Sequence, residues 1–462
     1  MRHPLVRRVD AVTRAARAGL ALAVVVAACA AEPGPDPDGL DPDPVLTDEE
    51  RAALAGLDYA LAAAPADPSN AFADDPAAQR LGQVLFFTTE LAGPLLDRDN
   101  DGSAGTLGRV GEAGRVACAS CHVPETGFVD TRSPHRQISL GSRWTPRRSP
   151  TLLDVAAAPR FNWDGRRDAL WNQALGVMEN ESELNASRLY VAHQVFRHHR
   201  AAYEAIFGPM PPLDDAARFP APAPAQAGCE GIGAAAVCHG KPGAADYDGM
   251  APADQDAVTR VAVNVSKAIA AYVGQLRCGP GRFDAWLAGD AAALSRAEQR
   301  GAALFVGRAG CVTCHDGPYL SDGEFHNVGL RPATVATAFT DTDDRGAAVG
   351  LAAAAGDPLG AGGVYGDGPR GAIPAVTSAH EGAFKTPTLR CIAAQPSFMH
   401  TGQMRTLADV VGFFARGGDL VGYPGTSELT PLDLSAREAA DLVAFLAALQ
   451  GAGPPPELLA PP

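Results

Sequence analysis

Two stretches, Cys118-Ala119-Ser120-Cys121-His122 and Cys311-Val312-Thr313-Cys314-His315, share one pattern, C-x-x-C-H. This is the attachment pattern of c-type haem. Two thioethers anchor the porphyrin vinyls, and the adjacent His reaches the iron as proximal ligand. The chain holds nine Cys and eleven His in 462 residues. At those frequencies one chance match is expected about 0.004 times. Two matches predict two covalent haem c groups, the first on Cys118, Cys121 and His122, the second on Cys311, Cys314 and His315.

Similar text flanks both motifs. Gly82-Gln83-Val84-Leu85-Phe86 precedes the first, and Gly301-Ala302-Ala303-Leu304-Phe305 precedes the second. Each follows a helix start: Asp75-Pro76 in one case, Ser295 with Glu298 as a capping box in the other. Each haem motif is followed later by an amphipathic helix, over 261–276 and over 435–449. In the second, Leu442, Phe445, Leu446 and Leu449 recur at helical spacing. Strand-like alternation is scarce, so the class is all-α. Helix, C-x-x-C-H loop and closing helix describe a cytochrome c-like domain, present twice: residues 75–290 and 291–452, with a tail over 453–462. The copies are unequal. Gly82 lies 36 residues before Cys118, whereas Gly301 lies 10 before Cys311. The longer spacing holds Asp97-Arg98-Asp99-Asn100-Asp101-Gly102, which opens like an EF-hand calcium loop. Position twelve is Gly108, without the bidentate Glu, so the stretch reads as a solvated acidic turn.

The N-terminus reads as an export signal. Five Arg against one Asp lie in residues 1–17, and an apolar stretch follows from Ala18 to Ala28. That is a basic n-region before a short h-region. The stretch ends Val26-Ala27-Ala28-Cys29, which resembles a bacterial lipobox with Cys29 as the acylated residue. Residues 1–28 are then a signal peptide and 29–74 a flexible, Pro/Asp-rich tether to the membrane. Later in the chain no apolar run approaches the roughly 18 residues that span a bilayer. The expected location is the periplasm or cell envelope, with membrane contact through the lipid alone. Net charge is −15, which argues against nucleic acid and suits a basic redox partner. Four cysteines remain: Cys229, Cys238, Cys278 and Cys391. An even remainder suits two disulfides in an oxidising compartment. The expected pairs are Cys229 with Cys238, across a short Gly/Ala-rich loop, and Cys278 with Cys391 as a long-range clasp. Zinc knuckles at the C-x-x-C pairs would leave each following His unexplained and would need free thiols in that compartment.

Two C-x-x-C-H domains with this intervening text resemble the bacterial dihaem cytochrome c peroxidase family, which includes MauG. The resemblance runs from about residue 76 to 450. It is carried by Arg148–Leu153 (RSPTLL), Phe161–Arg166 (FNWDGR), the stretch from Gln173 to Glu183, Phe325–Gly329 (FHNVG), Phe384–Arg390 (FKTPTLR), and His400 followed by Thr406-Leu407. It implies that the N-terminal haem reacts with hydrogen peroxide and that the C-terminal haem relays electrons. Glu183 matches the family's distal acid–base group, Gln173 its polar companion, and Trp163 the Trp between the haems. Splitting an O–O bond needs a base that takes a proton from peroxide and returns it to the leaving oxygen.

The chain departs from the family at three places. Ser142 stands where some members carry a second, blocking His, so the N-terminal haem is expected to be open; His135 is the nearby substitute. Arg148 replaces the Asn that serves the family's interdomain Ca²⁺, and a fixed cation there argues against that ion. Phe414 stands where the C-terminal haem draws its sixth ligand. Phenylalanine cannot bind iron, which leaves that iron five-coordinate or bound by Met399 or Met404. The expected activity is reduction of H₂O₂ to water, with electrons from a small cytochrome c or cupredoxin. The alternatives are a MauG-like enzyme that oxidises a residue on a protein substrate, and a dihaem electron carrier without turnover.

Overall fold

The computed structural model describes residues 46–63, 66–132, 138–332, 344–369 and 371–462. Cys29, the signal segment and His135 lie outside the described residues.

Each half is built on two crossed helices. In the N-terminal half the leading helix is Pro76–Phe87. Asp75 caps it by accepting from the Ala77 N–H at 2.8 Å, with Pro76 at the first helical position. The closing helix is Pro252–Val273. It starts nine residues earlier than expected and ends three sooner. Its polar first turns conceal the start, which Pro252 sets, and Gly274 stands at its C-cap. In the C-terminal half the leading helix is Arg296–Val306 and the closing helix Ala436–Ala448. Both open with a full capping box, Ser295 with Glu298 and Ser435 with Glu438.

The shared glycines sit where these helices cross. A Cβ on Gly82 would lie 1.8 Å from the Ala268 carbonyl oxygen, and one on Gly301 would lie 2.1 Å from that of Asp441. Only glycine permits such an approach of two helix backbones. One turn further on, Phe86 and Phe305 are each 1% exposed and anchor the two cores. The N-terminal core gathers Leu81, Leu85, Trp171, Val261, Val265 and Tyr272 around Phe86. The C-terminal core gathers Phe283, Phe413, Leu442 and Phe445 around Phe305.

Strands are few: Cys229–Glu230 pairs antiparallel with Val237–Cys238, and Phe325–His326 with Phe384–Lys385. Both expected disulfides are present, Cys229–Cys238 and Cys278–Cys391. The four C-x-x-C-H cysteines are not in disulfides. No helix among the described residues is long and apolar enough to cross a membrane.

One assignment near the start of the described residues is corrected, and the tail is placed. The segment expected to be tether as far as residue 74 carries a helix, Asp48–Gly56, closed at its start by the Thr47–Glu50 capping box. Leu54 and Leu57 are buried in the C-terminal core, and the Leu57 carbonyl accepts from the Arg390 guanidinium at 2.5 Å. The two leucines, three apart, form an apolar stripe that the surrounding Ala-rich text obscures. The C-terminal residues pack back onto the N-terminal half. Gln83 Nε2 donates to the carbonyls of Glu457 and Ala460, and Tyr272 Oη donates to that of Leu458.

Candidate active site

Cys118–Cys121 forms one helical turn, which carries both cysteines and leaves His122 at its C-terminal end. His122 Nδ1 lies 3.0 Å from the Phe128 carbonyl oxygen. His315 Nδ1 lies 2.8 Å from the Leu320 carbonyl oxygen. A hydrogen bond there makes Nδ1 the protonated nitrogen and leaves Nε2 as the free lone pair, which is what a metal-bound imidazole needs. Both carbonyls come from residues in the left-handed region, Phe128 at φ 60° and Leu320 at φ 52°. Non-glycine residues pay strain for this conformation. Both side chains are fully buried, so core packing holds the turn that presents the carbonyl. Sequence reasoning missed this device, because neither Phe nor Leu signals a left-handed turn.

Cys118, Cys121 and His122 open onto one chamber, which Gln173, Glu183 and Trp163 also line. Gln173 lies on the helix Leu170–Glu179, and Glu183 follows in the turn after it. Burial raises the Glu183 pKa above the ordinary carboxyl range, against the pull of Arg166 and Arg167. Burial and mutual repulsion push the Cys118 thiol up to about 12. Burial lowers the His122 pKa and keeps the imidazole neutral.

The position of Ser142 needs correction. Its side chain does not line the chamber. The hydroxyl is buried, donates to the Pro94 carbonyl at 2.8 Å and accepts from the Leu96 N–H at 3.1 Å. Its backbone N–H donates to the Glu183 carbonyl at 2.9 Å, and Arg143 N–H donates to that of Ser182 at 3.2 Å. This loop braces the turn that carries Glu183. The chamber is unblocked by residue 142 because the backbone turns that side chain away, not because serine is short.

Trp163 sits at a seam. Its ring borders the chamber and its Nε1–H donates to the Arg148 carbonyl at 2.8 Å. Its own carbonyl accepts from the Lys385 N–H at 2.8 Å, on the strand Phe384–Lys385. The His400 ring lies 6.3 Å away and stacks on Phe384 at 3.5 Å. Burial pushes His400 down to about 3, so this ring stays neutral. One residue therefore touches the first chamber and two segments of the C-terminal half.

Arg148, in the sequence only a departure from the family, is part of the chamber wall. Its guanidinium donates to the Met399 carbonyl at 3.1 Å and to Gln395 Oε1 at 3.0 Å, both neutral, and lies 5.5 Å over the Trp163 ring. Burial pushes its pKa down to about 9. A buried cation with neutral partners suits an anionic group in the chamber.

The second site is apolar. Cys311, Met399 and Phe414 pack against the C-terminal core, which includes Met404. The two methionines share this cluster, and the packing favours neither as a ligand. Cys314 Sγ, Asp322 and His326 approach within chelating distance, but Cys314 is claimed by the C-x-x-C-H pattern. Among the described residues, neither Cys118, Cys121 and His122 nor Cys311, Cys314 and His315 converge as a three-ligand group. Asp97, Asp99 and Asp101 do not converge either. Asp97 and Asp101 accept from backbone N–H groups of their own loop, and Asp99 accepts from Trp144 Nε1.

A family model described as "Di-haem cytochrome c peroxidase" matches residues 76–292. The methylamine utilization protein MauG of Methylorubrum extorquens is 31% identical over 343 residues, 74% of each chain. The chain belongs to the di-haem cytochrome c peroxidase and MauG family. Cytochrome-c peroxidase IdrP1 of Denitromonas iodatirespirans is 29% identical over 80% of each chain. In fold, the diheme peroxidase BthA of Burkholderia thailandensis aligns with a TM-score of 0.57 at 22% identity, covering 84% of this chain and 89% of that one. Membership makes the protein an oxidoreductase of the peroxidase type and implies two haems, peroxide and either a redox partner or a protein substrate.

Proposed function

We propose that this protein reduces hydrogen peroxide to water with electrons from a small cytochrome c or cupredoxin, and that the chamber behind Cys118–His122 is where peroxide reacts. The observation that carries the reading is that a half-buried carboxyl, an amide and an indole open onto the same chamber as a C-x-x-C-H turn. Cys118 and Cys121 attach one haem and Cys311 and Cys314 the other, with His122 and His315 on the irons. Bound there, haem supplies the redox chemistry. Arg148 supplies positive charge toward the porphyrin carboxylates. Glu183 Oε takes a proton from H₂O₂ and returns it to the departing oxygen, and Gln173 holds the peroxide by hydrogen bonding. Two electrons and two protons then convert one peroxide to two waters. Trp163 carries charge between the chamber and the C-terminal half. Export through the N-terminal signal, with lipid on Cys29, would place the enzyme in the cell envelope.

The second reading is MauG-like oxidation of a residue on a protein substrate, favoured by the 31% identity to a MauG. Steady consumption of H₂O₂ with reduced cytochrome c separates the two. Turnover with the small donor supports the peroxidase reading. Peroxide-driven oxidation of a partner protein without donor turnover supports the second. Intact mass should exceed the polypeptide by two haems, and a pyridine haemochrome assay should count two per chain. A folded product with no Soret band would sink both readings.

A further inference from the structure

Tyr59 and Tyr319 lie in edge contact, with ring centroids 6.1 Å apart at 80°. Tyr319 immediately precedes Leu320, whose carbonyl holds His315 Nδ1 at 2.8 Å. A covalent and hydrogen-bonded path thus runs from the proximal His of the second site to Tyr319, and a ring contact continues it to Tyr59. The two hydroxyls differ in what they face. Tyr319 Oη donates to the Ala63 carbonyl at 2.6 Å. A peptide carbonyl cannot take the proton. Tyr59 Oη donates to Asp154 Oδ1 at 2.6 Å. A carboxylate can take it, and the Asp154 side chain is fully buried at φ 56°. Two guanidinium groups stand over the Tyr59 ring, Arg390 at 5.0 Å and Arg277 at 5.6 Å. They penalise any positive charge left on the ring, so an electron can leave Tyr59 only together with its proton.

We propose that Tyr59 is an internal one-electron donor to the C-terminal haem, with Tyr319 as the bridge and Asp154 as the proton acceptor. The inference rests on the two-haem peroxidase reading. Tyr59 loses one electron, by way of Tyr319, to the haem centre that peroxide has oxidised. Its O–H bond breaks and the proton passes to Asp154 Oδ1. The products are a neutral tyrosyl radical, a carboxylic acid and a centre reduced by one electron. Arg277 Nε donates to the same oxygen of Asp154 at 2.6 Å, so the transferred proton must share that oxygen with a cation. Tyr59 therefore yields only to a strong oxidant. Its role is to drain oxidising equivalents when no donor protein is bound. Burial and the Asp154 carboxylate together hold the Tyr59 phenol up at about 12, so it keeps its proton until oxidation.

The test is freeze-quench electron paramagnetic resonance of the oxidised holoprotein mixed with one equivalent of H₂O₂ and no donor. The expected result is a tyrosyl signal that narrows with ring-deuterated tyrosine, is absent in Tyr59→Phe and is weaker in Tyr319→Phe. Tyr59→Phe keeps the ring among its cations, and its oxidised haem bands should persist severalfold longer than in the wild type. A purely structural tyrosine would change neither readout. Haem oxidation with no tyrosyl signal, or the same signal in Tyr59→Phe, overturns the proposal and leaves the peroxidase reading standing. Haem bands that do not respond to peroxide overturn both.

Discussion

The two C-x-x-C-H sites are alike where the chain is local and unlike where it is not. Each has a helical turn that begins at the first cysteine of its motif, a His held by a carbonyl in the left-handed region, and a glycine pressed on a closing helix. Around the first, Gln173, Asn180, Glu183, Arg148 and Arg166 open onto the chamber. Around the second, Phe305, Leu320, Met404 and Phe413 form an apolar cluster. The C-x-x-C-H pattern is therefore a property of five residues and one turn. The polar side chains of the first chamber arrive from 26 to 61 residues beyond His122. A carboxyl lines the chamber of the first site, whereas the second packs on an apolar cluster with Asp322 and His326 beside Cys314.

The largest effect should come from removing that carboxyl. Glu183→Gln keeps size and polarity but cannot take a proton, and the reaction with H₂O₂ should slow by about 10² to 10⁴. Stopped-flow mixing measures it, and the absorption of the C-terminal haem should be untouched. The wild-type rate should rise with pH, because the carboxylate is the working form. The midpoint should lie above the ordinary carboxyl range, since burial raises this pKa. Glu183→Gln should flatten the profile. A variant reacting at the wild-type rate would erase the distinction between the two sites.

The next effect concerns what joins the halves. Cys278–Cys391 closes a separation of 113 residues and Cys229–Cys238 one of 9. Double Cys→Ser replacement should cost about 5 kcal/mol for the long clasp and about 2.5 kcal/mol for the short one on the chain-entropy estimate. Denaturant melts of the two variants compare them. Equal costs would mean that the clasp does little to hold the halves together.

The likeness between the halves has its own test. Gly82→Ala and Gly301→Ala both drive a Cβ into a helix carbonyl, and each should cost roughly 1–3 kcal/mol by overpacking. A neutral outcome at one position would show that the repeat does not extend to that crossing. The smallest effect expected is at the seam. Trp163→Phe should leave the first peroxide step intact and slow charge transfer between the halves by roughly tenfold, about 1.4 kcal/mol in the barrier. Stopped-flow spectra that follow each haem separately measure it.

Much of this was legible in the residues. The C-x-x-C-H turns, the capping box at Ser295 and the start at Asp75-Pro76 are local codes, because each depends on bonds made within a few positions. The grouping of Gln173, Glu183 and Trp163 came from resemblance, and the chamber brings the three together. The rest was hidden because it depends on partners far along the chain. Leu54 and Leu57 look like part of a tether until the C-terminal core covers them. Ser142 looks like a missing ligand until Pro94 and Leu96 claim its hydroxyl. Gly82 and Gly301 read as a bare repeat, and only the crossing helix gives the reason that a methyl group is forbidden. Phe128 and Leu320 carry no mark of a left-handed turn, since burial rather than residue type holds them there. By itself the sequence determined the two C-x-x-C-H motifs and the helix starts at Asp75-Pro76 and Ser295, because those are short-range chemical facts. Tertiary structure alone decided which polar side chains line the first chamber and which apolar ones pack at the second site, because that depends on packing between segments up to hundreds of residues apart.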